Sequence, residues 1–159
     1  MGLAEVKKYF EDKGITNEII LLDANTATVE LAAQALGKTP GEIAKTLAFE
    51  LKDGTPVVIV VMGTARVDNH KYKETFGCKA KMFSLEDTLE KIGHPVGGVC
   101  PFGVKEGVEI YLDVSLKKYE IVYPAAGTAN SATPFTPDEL EKATGGKWVD
   151  VCKDPEAQQ

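Results

Sequence analysis

The sequence predicts an α+β domain built on a mixed sheet, and three observations carry that expectation. Strand-like and helix-like segments alternate irregularly, unlike the regular alternation of a doubly wound sheet. Two apolar runs, Ala44 to Leu51 and Pro56 to Met62, flank Lys52-Asp53-Gly54-Thr55, and Asp-Gly favours a tight hairpin turn. Capping residues and glycines divide much of the remainder into short helices. With 159 residues, 43% hydrophobic and 26% charged, the chain reads as one domain over 1–159, large enough to bury a core without disulfide or metal. Residues 1–2 and 153–159 are expected to fray.

Each element has a local reason. Leu3 to Asp12 places Leu3, Val6 and Phe10 at helical spacing, and Gly14 ends it. Ile19 to Leu22 is an apolar strand. Thr28 caps a helix through Leu36, which Gly37 stops, and Pro40 with Glu42 opens a further short turn. After the hairpin, Asp68 to Phe76 reads as a helix ending at Gly77, then Lys79 to Phe83 as a strand. Ser84 and Asp87 begin a helix to Ile92, before Gly93. Strands follow at Val108 to Leu112 and Glu120 to Val122. Thr136-Pro137-Asp138-Glu139 combines a threonine cap, proline at the first position and glutamate at the third, and Gly145-Gly146 closes that helix. Trp148 to Val151 is a final strand.

Composition excludes several functional classes. No apolar run reaches membrane-span length, and Met1 to Lys8 holds no signal-peptide core, so a cytosolic, non-membrane protein is expected. Cys78, Cys100 and Cys152 are odd in number and widely spaced, which suits reduced thiols. No C-x-x-C or H-E-x-x-H spacing is present, so no metal site is expected. A net charge of −6 argues against indiscriminate nucleic-acid binding. Between Arg66 and Lys81, however, five basic residues stand against two acidic ones. Arg66, His70 and Lys71 are the candidate phosphate contacts in that stretch. A solvated helix face, with Arg66 paired to Asp68 or another carboxylate, is the alternative.

Two features carry chemistry. Gly97-Gly98-Val99-Cys100-Pro101-Phe102-Gly103 packs three glycines and a proline into seven residues just beyond His94-Pro95-Val96. Such a loop can gather backbone N–H groups toward a carbonyl or oxyanion; it can equally be a tight turn. Upstream, Lys45 interrupts the apolar run Ile43-Ala44-Lys45-Thr46-Leu47-Ala48-Phe49. A lysine there either snorkels to solvent or brings a positive charge to a site. Together the two suggest an anion or ester site.

"IAKTLAF", "GTARVDNHKYKETFG", "GGVCPFG" and "EIYLDVSL", in this order, resemble the YbaK/prolyl-tRNA synthetase editing-domain family, over about Asn25 to Asp150. The resemblance implies a mixed, partly closed barrel-like sheet surrounded by helices. It implies an aminoacyl-tRNA deacylase that clears mischarged tRNA, with tRNA(Pro) carrying cysteine or alanine as the expected substrate. Its partners would be the aminoacyl-tRNA 3′ end and, for tRNA affinity, a prolyl-tRNA synthetase; no cofactor is implied.

By the same resemblance, Lys45 matches the family's essential lysine, and Gly97, Gly98 and Gly103 its glycine loop. Asp113 matches a recurrent acidic position; catalytic orientation and the capping of the turn at Val114-Ser115-Leu116 stand as its two readings. Cys100, Pro101 and Phe102 would border the substrate, with Thr26 and Thr28 offering hydroxyls, although helix capping also accounts for Thr28. Many relatives carry serine where this chain has Cys100, and some an aromatic residue near Leu22-Asp23. Two other classes remain open: a non-catalytic ligand- or partner-binding module of the same fold, and a hydrolase using Cys100 as nucleophile with His94 as base.

Overall fold

A computed structural model describes residues 2–22, 28–95 and 97–153. Thr26 therefore lies outside the described residues, as do Met1 and residues 154–159. Within them the mixed α+β class is realised as five α-helices around a five-stranded mixed sheet, with two short ribbons beside it.

The hairpin forms as its sequence dictates. β2 (Ile43–Glu50) and β3 (Pro56–Met62) pair antiparallel from Ala44 opposite Met62 to Glu50 opposite Pro56. Five of the seven β3 residues, Val57 to Val61, are fully buried, as suits a strand covered on both faces. β5 (Glu109–Asp113) joins β3 in parallel, β8 (Lys147–Val149) joins β5, and β6 (Tyr123–Pro124) joins β2. The order is β6-β2-β3-β5-β8.

Even-numbered core positions of β2 and β3 face one side and odd-numbered positions the other, following the period of two, except Met62 at the end of β3, which packs with the odd-numbered set. Ala44, Val60 and Leu112 pack with Phe102, Phe135 and Leu140, beneath α1 (Leu3–Lys13) and α5 (Pro137–Thr144). On the opposite face, Phe49, Val57, Ile59 and Val61 pack with Val151 and with Tyr72 of α3 (Asn69–Phe76). Ala48 and Val58 meet Ile92 of α4 (Leu85–Ile92). α2 (Val29–Leu36) lies beside β2.

Caps explain the helix starts. Thr28, Asp68, Ser84 and Thr136 each accept from backbone N–H groups of the first turn, and Thr136 with Glu139 completes a capping box. Every one of these helices stops at a glycine in the left-handed region.

Three expected strands are corrected. Residues 79–83 form no strand; a single bridge, Phe49 to Met82, and the Glu50 N–H on the Lys81 carbonyl are the only strand-like contacts found there. The strand expected at 120–122 begins later, at Tyr123, with Val122 bridging Phe135. The final strand is divided into β8 and β9 (Cys152–Lys153), and β9 pairs with β4 (Arg66–Val67), so Lys153 is held rather than frayed. The remaining ribbon joins β1 (Ile20–Leu21) to β7 (Ser131–Ala132). No helix among the described residues is long and apolar enough to cross a membrane.

Candidate active site

β6 covers only the first two residues of β2, so the outer edge of β2 opens beyond Ala44. A cavity of about 350 Å³ lies along that edge. Because it wraps the edge, both faces of β2 contribute: Lys45 and Leu47 from one, Thr46 and Ala48 from the other. Val29 and Ala32 of α2 form a wall, Met82 and Phe83 lead into α4 at the far end, and Gly97 with Ser131 closes the remaining side.

Lys45 is half-buried, and burial pulls its ammonium below the ordinary lysine range. The nearby Cys152 opposes that shift, the Arg66 charge adds to it, and Glu30 opposes it again. A partly desolvated cation therefore borders the cavity, where its field on an anion is stronger than in bulk water. Gly97 adopts φ 93°, a conformation open to glycine at little cost, and it borders the same cavity. Lys45, Gly97 and Thr28 are thus the predicted residues that the fold brings together. Thr28 also caps α2, accepting from the Leu31 N–H at 3.2 Å.

The remaining loop residues support this arrangement from below. A Cβ on Gly98 would come within 2.6 Å of the Gly127 carbonyl oxygen, so two backbones cross in direct contact. Ser131, which accepts from the Ala126 and Thr128 N–H groups, fixes the shape of that second loop. A Cβ on Gly103 would meet the Glu5 backbone at 2.9 Å; its role is to seat α1. Cys100 and Phe102 are 0% exposed, and Pro101 is buried. The expectation that these three border a substrate is corrected: they are core residues, and Phe102 stacks on Phe135 with centroids 5.1 Å apart.

Asp113 is also buried, at the end of β5. One carboxylate oxygen accepts from the Ser115 N–H at 2.9 Å and the other from Val151 N–H at 2.8 Å. Of its two readings, the structure realises the capping one. Both oxygens are engaged by backbone, and Asp113 does not border the cavity. His94 and Cys100 are neighbours, with Nε2 and Sγ 3.6 Å apart, yet the pair cannot act as base and nucleophile. Nε2 lies 2.6 Å from the Phe102 carbonyl and so carries the proton as donor. It has no lone pair left for the thiol. Burial, moreover, pushes the Cys100 thiol up to about 12 and lowers the His94 imidazole.

The basic stretch does not converge on the cavity. His70 Nε2 lies 2.8 Å from a Glu74 carboxylate oxygen on the surface of α3, and Lys71 contacts Asp150 and the Cys152 carbonyl. Arg66 is exposed on β4 and is the member of the three whose charge reaches Lys45. Thr46 was missed as a candidate by sequence reasoning, whereas Gly127 to Ser131 reads from sequence either as a pocket wall or as an ordinary loop, and Ala129 and Ser131 line the cavity. Thr46 stood inside the Lys45 motif with nothing to mark its surroundings. No group of three or more His, Cys, Asp or Glu among the described residues could hold a metal ion.

Comparison with known proteins decides the relationship. Residues 23–143 match the aminoacyl-tRNA editing domain. The chain belongs to the aminoacyl-tRNA editing domain family. This editing domain is 44% identical over 155 residues to the uncharacterized protein YwhH of Bacillus subtilis (strain 168), covering 97% of this chain and 99% of that one. It is 28% identical over 125 residues to EbsC of Enterococcus faecalis (strain ATCC 700802 / V583), named as a candidate Cys-tRNA(Pro)/Cys-tRNA(Cys) deacylase, with coverage of 78% and 76%. The solved structure of a candidate trans-editing enzyme for prolyl tRNA synthetase superposes with TM-score 0.87 at 32% identity, covering 95% of this chain and 96% of that one.

Proposed function

We propose that this editing domain is a trans-acting deacylase that hydrolyses the ester of mischarged tRNA, with Cys- or Ala-tRNA(Pro) as substrate. The observation that carries the reading is the meeting of Lys45 and Gly97 across one small cavity at the free edge of β2. The likeness to EbsC and to the trans-editing structure supports the choice of tRNA(Pro). In this reading the 3′-terminal adenosine enters beside Lys45, whose charge holds the terminal phosphate or the developing oxyanion. The ester carbonyl lies toward Gly97, whose N–H donates to the oxyanion. Water is the nucleophile, and positioning supplies most of the acceleration because the ester is already activated. The limited cavity admits small side chains, at a discrimination of about 1–3 kcal/mol per methylene.

The test is amino-acid release from tRNA(Pro) charged with Cys, Ala, Ser or Pro, with and without prolyl-tRNA synthetase. Turnover of a mischarged species, reduced at least about 100-fold in Lys45→Ala, is the expected outcome. No turnover above the uncatalysed rate on any species overturns the assignment. The net charge of −6 favours one second reading, a small-ligand-binding module without turnover. Saturable binding of an aminoacyl-adenosine with no hydrolysis of any charged tRNA identifies it.

A further inference from the structure

The outer edge of β2 presents polar groups that the described fold does not use. The Glu50 N–H donates outward to the Lys81 carbonyl at 2.9 Å. Residues two apart in an antiparallel strand turn their N–H and C=O groups the same way, so those of Thr46 and Ala48 also face outward. β6 pairs with β2 at Ile43 and Ala44, and the next outer bridge is Phe49 with Met82. Among the described residues no strand covers Thr46 between those points. Its hydroxyl is likewise buried without a partner among them. Thr46 therefore brings an N–H, a carbonyl and a hydroxyl to the cavity wall, none of them paired there. Natural folds rarely leave buried polar atoms unmatched, and such atoms next to a cavity invite a ligand's polar groups.

We propose that Thr46 cradles the aminoacyl group of the substrate, pairing with it as with one residue of an added strand. An α-aminoacyl ester carries an ammonium donor and a carbonyl acceptor on the same carbon. That is the donor and acceptor pair a strand residue offers its neighbour. The substrate ammonium donates to the Thr46 carbonyl, and the ester carbonyl accepts from the Thr46 N–H. Its second lone pair is left for Gly97. Side chains of directly opposed residues lie on one face, with Cβ atoms about 4.5–5.5 Å apart. The Thr46 hydroxyl accordingly stands beside the substrate's side chain and favours one that can hydrogen-bond. The inference rests on the editing reading for its substrate and adds to it a requirement for a free α-ammonium.

The probe is 3′-(L-seryl)amino-3′-deoxyadenosine, whose amide resists hydrolysis, with its alanyl and N-acetylseryl counterparts, titrated into the whole ¹⁵N-labelled chain. Shifts centred on the Thr46 and Ala48 amides are expected, with at least tenfold weaker binding after N-acetylation. Thr46→Val, which removes a hydroxyl without a protein partner and keeps the branched shape, should weaken the seryl compound about fivefold more than the alanyl one. Its amide spectrum checks the fold. Shifts centred elsewhere, no binding, or equal binding of the N-acetyl compound overturn the proposal. Deacylation separates the two readings. Equal rates on seryl- and N-acetylseryl-tRNA sink the cradle and leave editing intact. Thr46 shifts without turnover of any charged tRNA sink editing and leave the cradle.

Discussion

Lys45 and Cys100 show how burial sets opposite chemical fates for two reactive side chains. Lys45 is desolvated only in part, so it stays at the cavity as a cation whose field is little screened. Cys100 is wholly enclosed, and its thiol, pushed up to about 12, is a hydrogen-bond donor to the Phe102 carbonyl at 3.6 Å. A thiol that never ionises near neutrality is a poor nucleophile, and nothing beside it can take its proton. Cys100→Ala should therefore retain deacylation within about threefold while losing about 1 kcal/mol of stability, since it vacates a small packed volume. Steady-state deacylation and urea unfolding of the same preparation check both halves. A rate loss of about a thousandfold at unchanged stability would restore the cysteine mechanism.

At the scale of elements, the parts legible in the sequence were those with a local cause. Thr28, Asp68, Ser84 and Thr136 announce their helices because a cap is satisfied within three residues. Asp-Gly likewise sets the hairpin register over a few residues. β4, β6, β7 and β9 are two residues each, too short for any period to register, and exist only because distant backbone meets them, whereas β1, equally short, was legible from the apolar run Ile19 to Leu22. The alternation at Lys79 to Phe83 imitates a strand, yet its pairing stops at one bridge from Met82 and the hydrogen bond on the Lys81 carbonyl. At the site, Lys45 and Gly97 could be picked out by residue type. The dual service of Asp113 could not, because Val151 lies 38 positions away and is joined only in the fold. Asp113 anchors the end of β5 to the segment leading into β9. Asp113→Ala should strand two N–H groups, one of them buried, and cost about 2–4 kcal/mol in equilibrium unfolding, with Asp113→Asn recovering part of it. Unchanged stability with lost turnover would instead place Asp113 in the chemistry.

Across the whole molecule, the acidic balance and the dispersed basic residues give the domain little generic attraction for tRNA, which throws recognition onto the small cavity and its supporting loops. Those loops depend on one buried titrating group. His94 is 0% exposed, its Nε2–H is spent on the Phe102 carbonyl, and its Nδ1 has no partner among the described residues. Burial lowers its imidazole below the ordinary 6.5, and the Phe102 contact and the Glu5 charge only partly offset this. The unfolded chain therefore binds a proton at a higher pH than the folded one does. By linkage, the stability associated with neutral His94 is fully present above pH 6.5 and declines as pH falls below it, at no more than about 1.4 kcal/mol per pH unit. The decline levels off once pH passes the lowered folded value. Thermal unfolding from pH 8 to pH 5 should show Tm falling below pH 6.5, and His94→Gln, which cannot titrate, should flatten that segment while lowering the neutral-pH plateau. Because the loop from His94 to Gly103 carries Gly97, deacylation should be lost in parallel with this unfolding. A wild-type Tm that is level from pH 7 to pH 5.5 would show that the buried imidazole does not govern the loop.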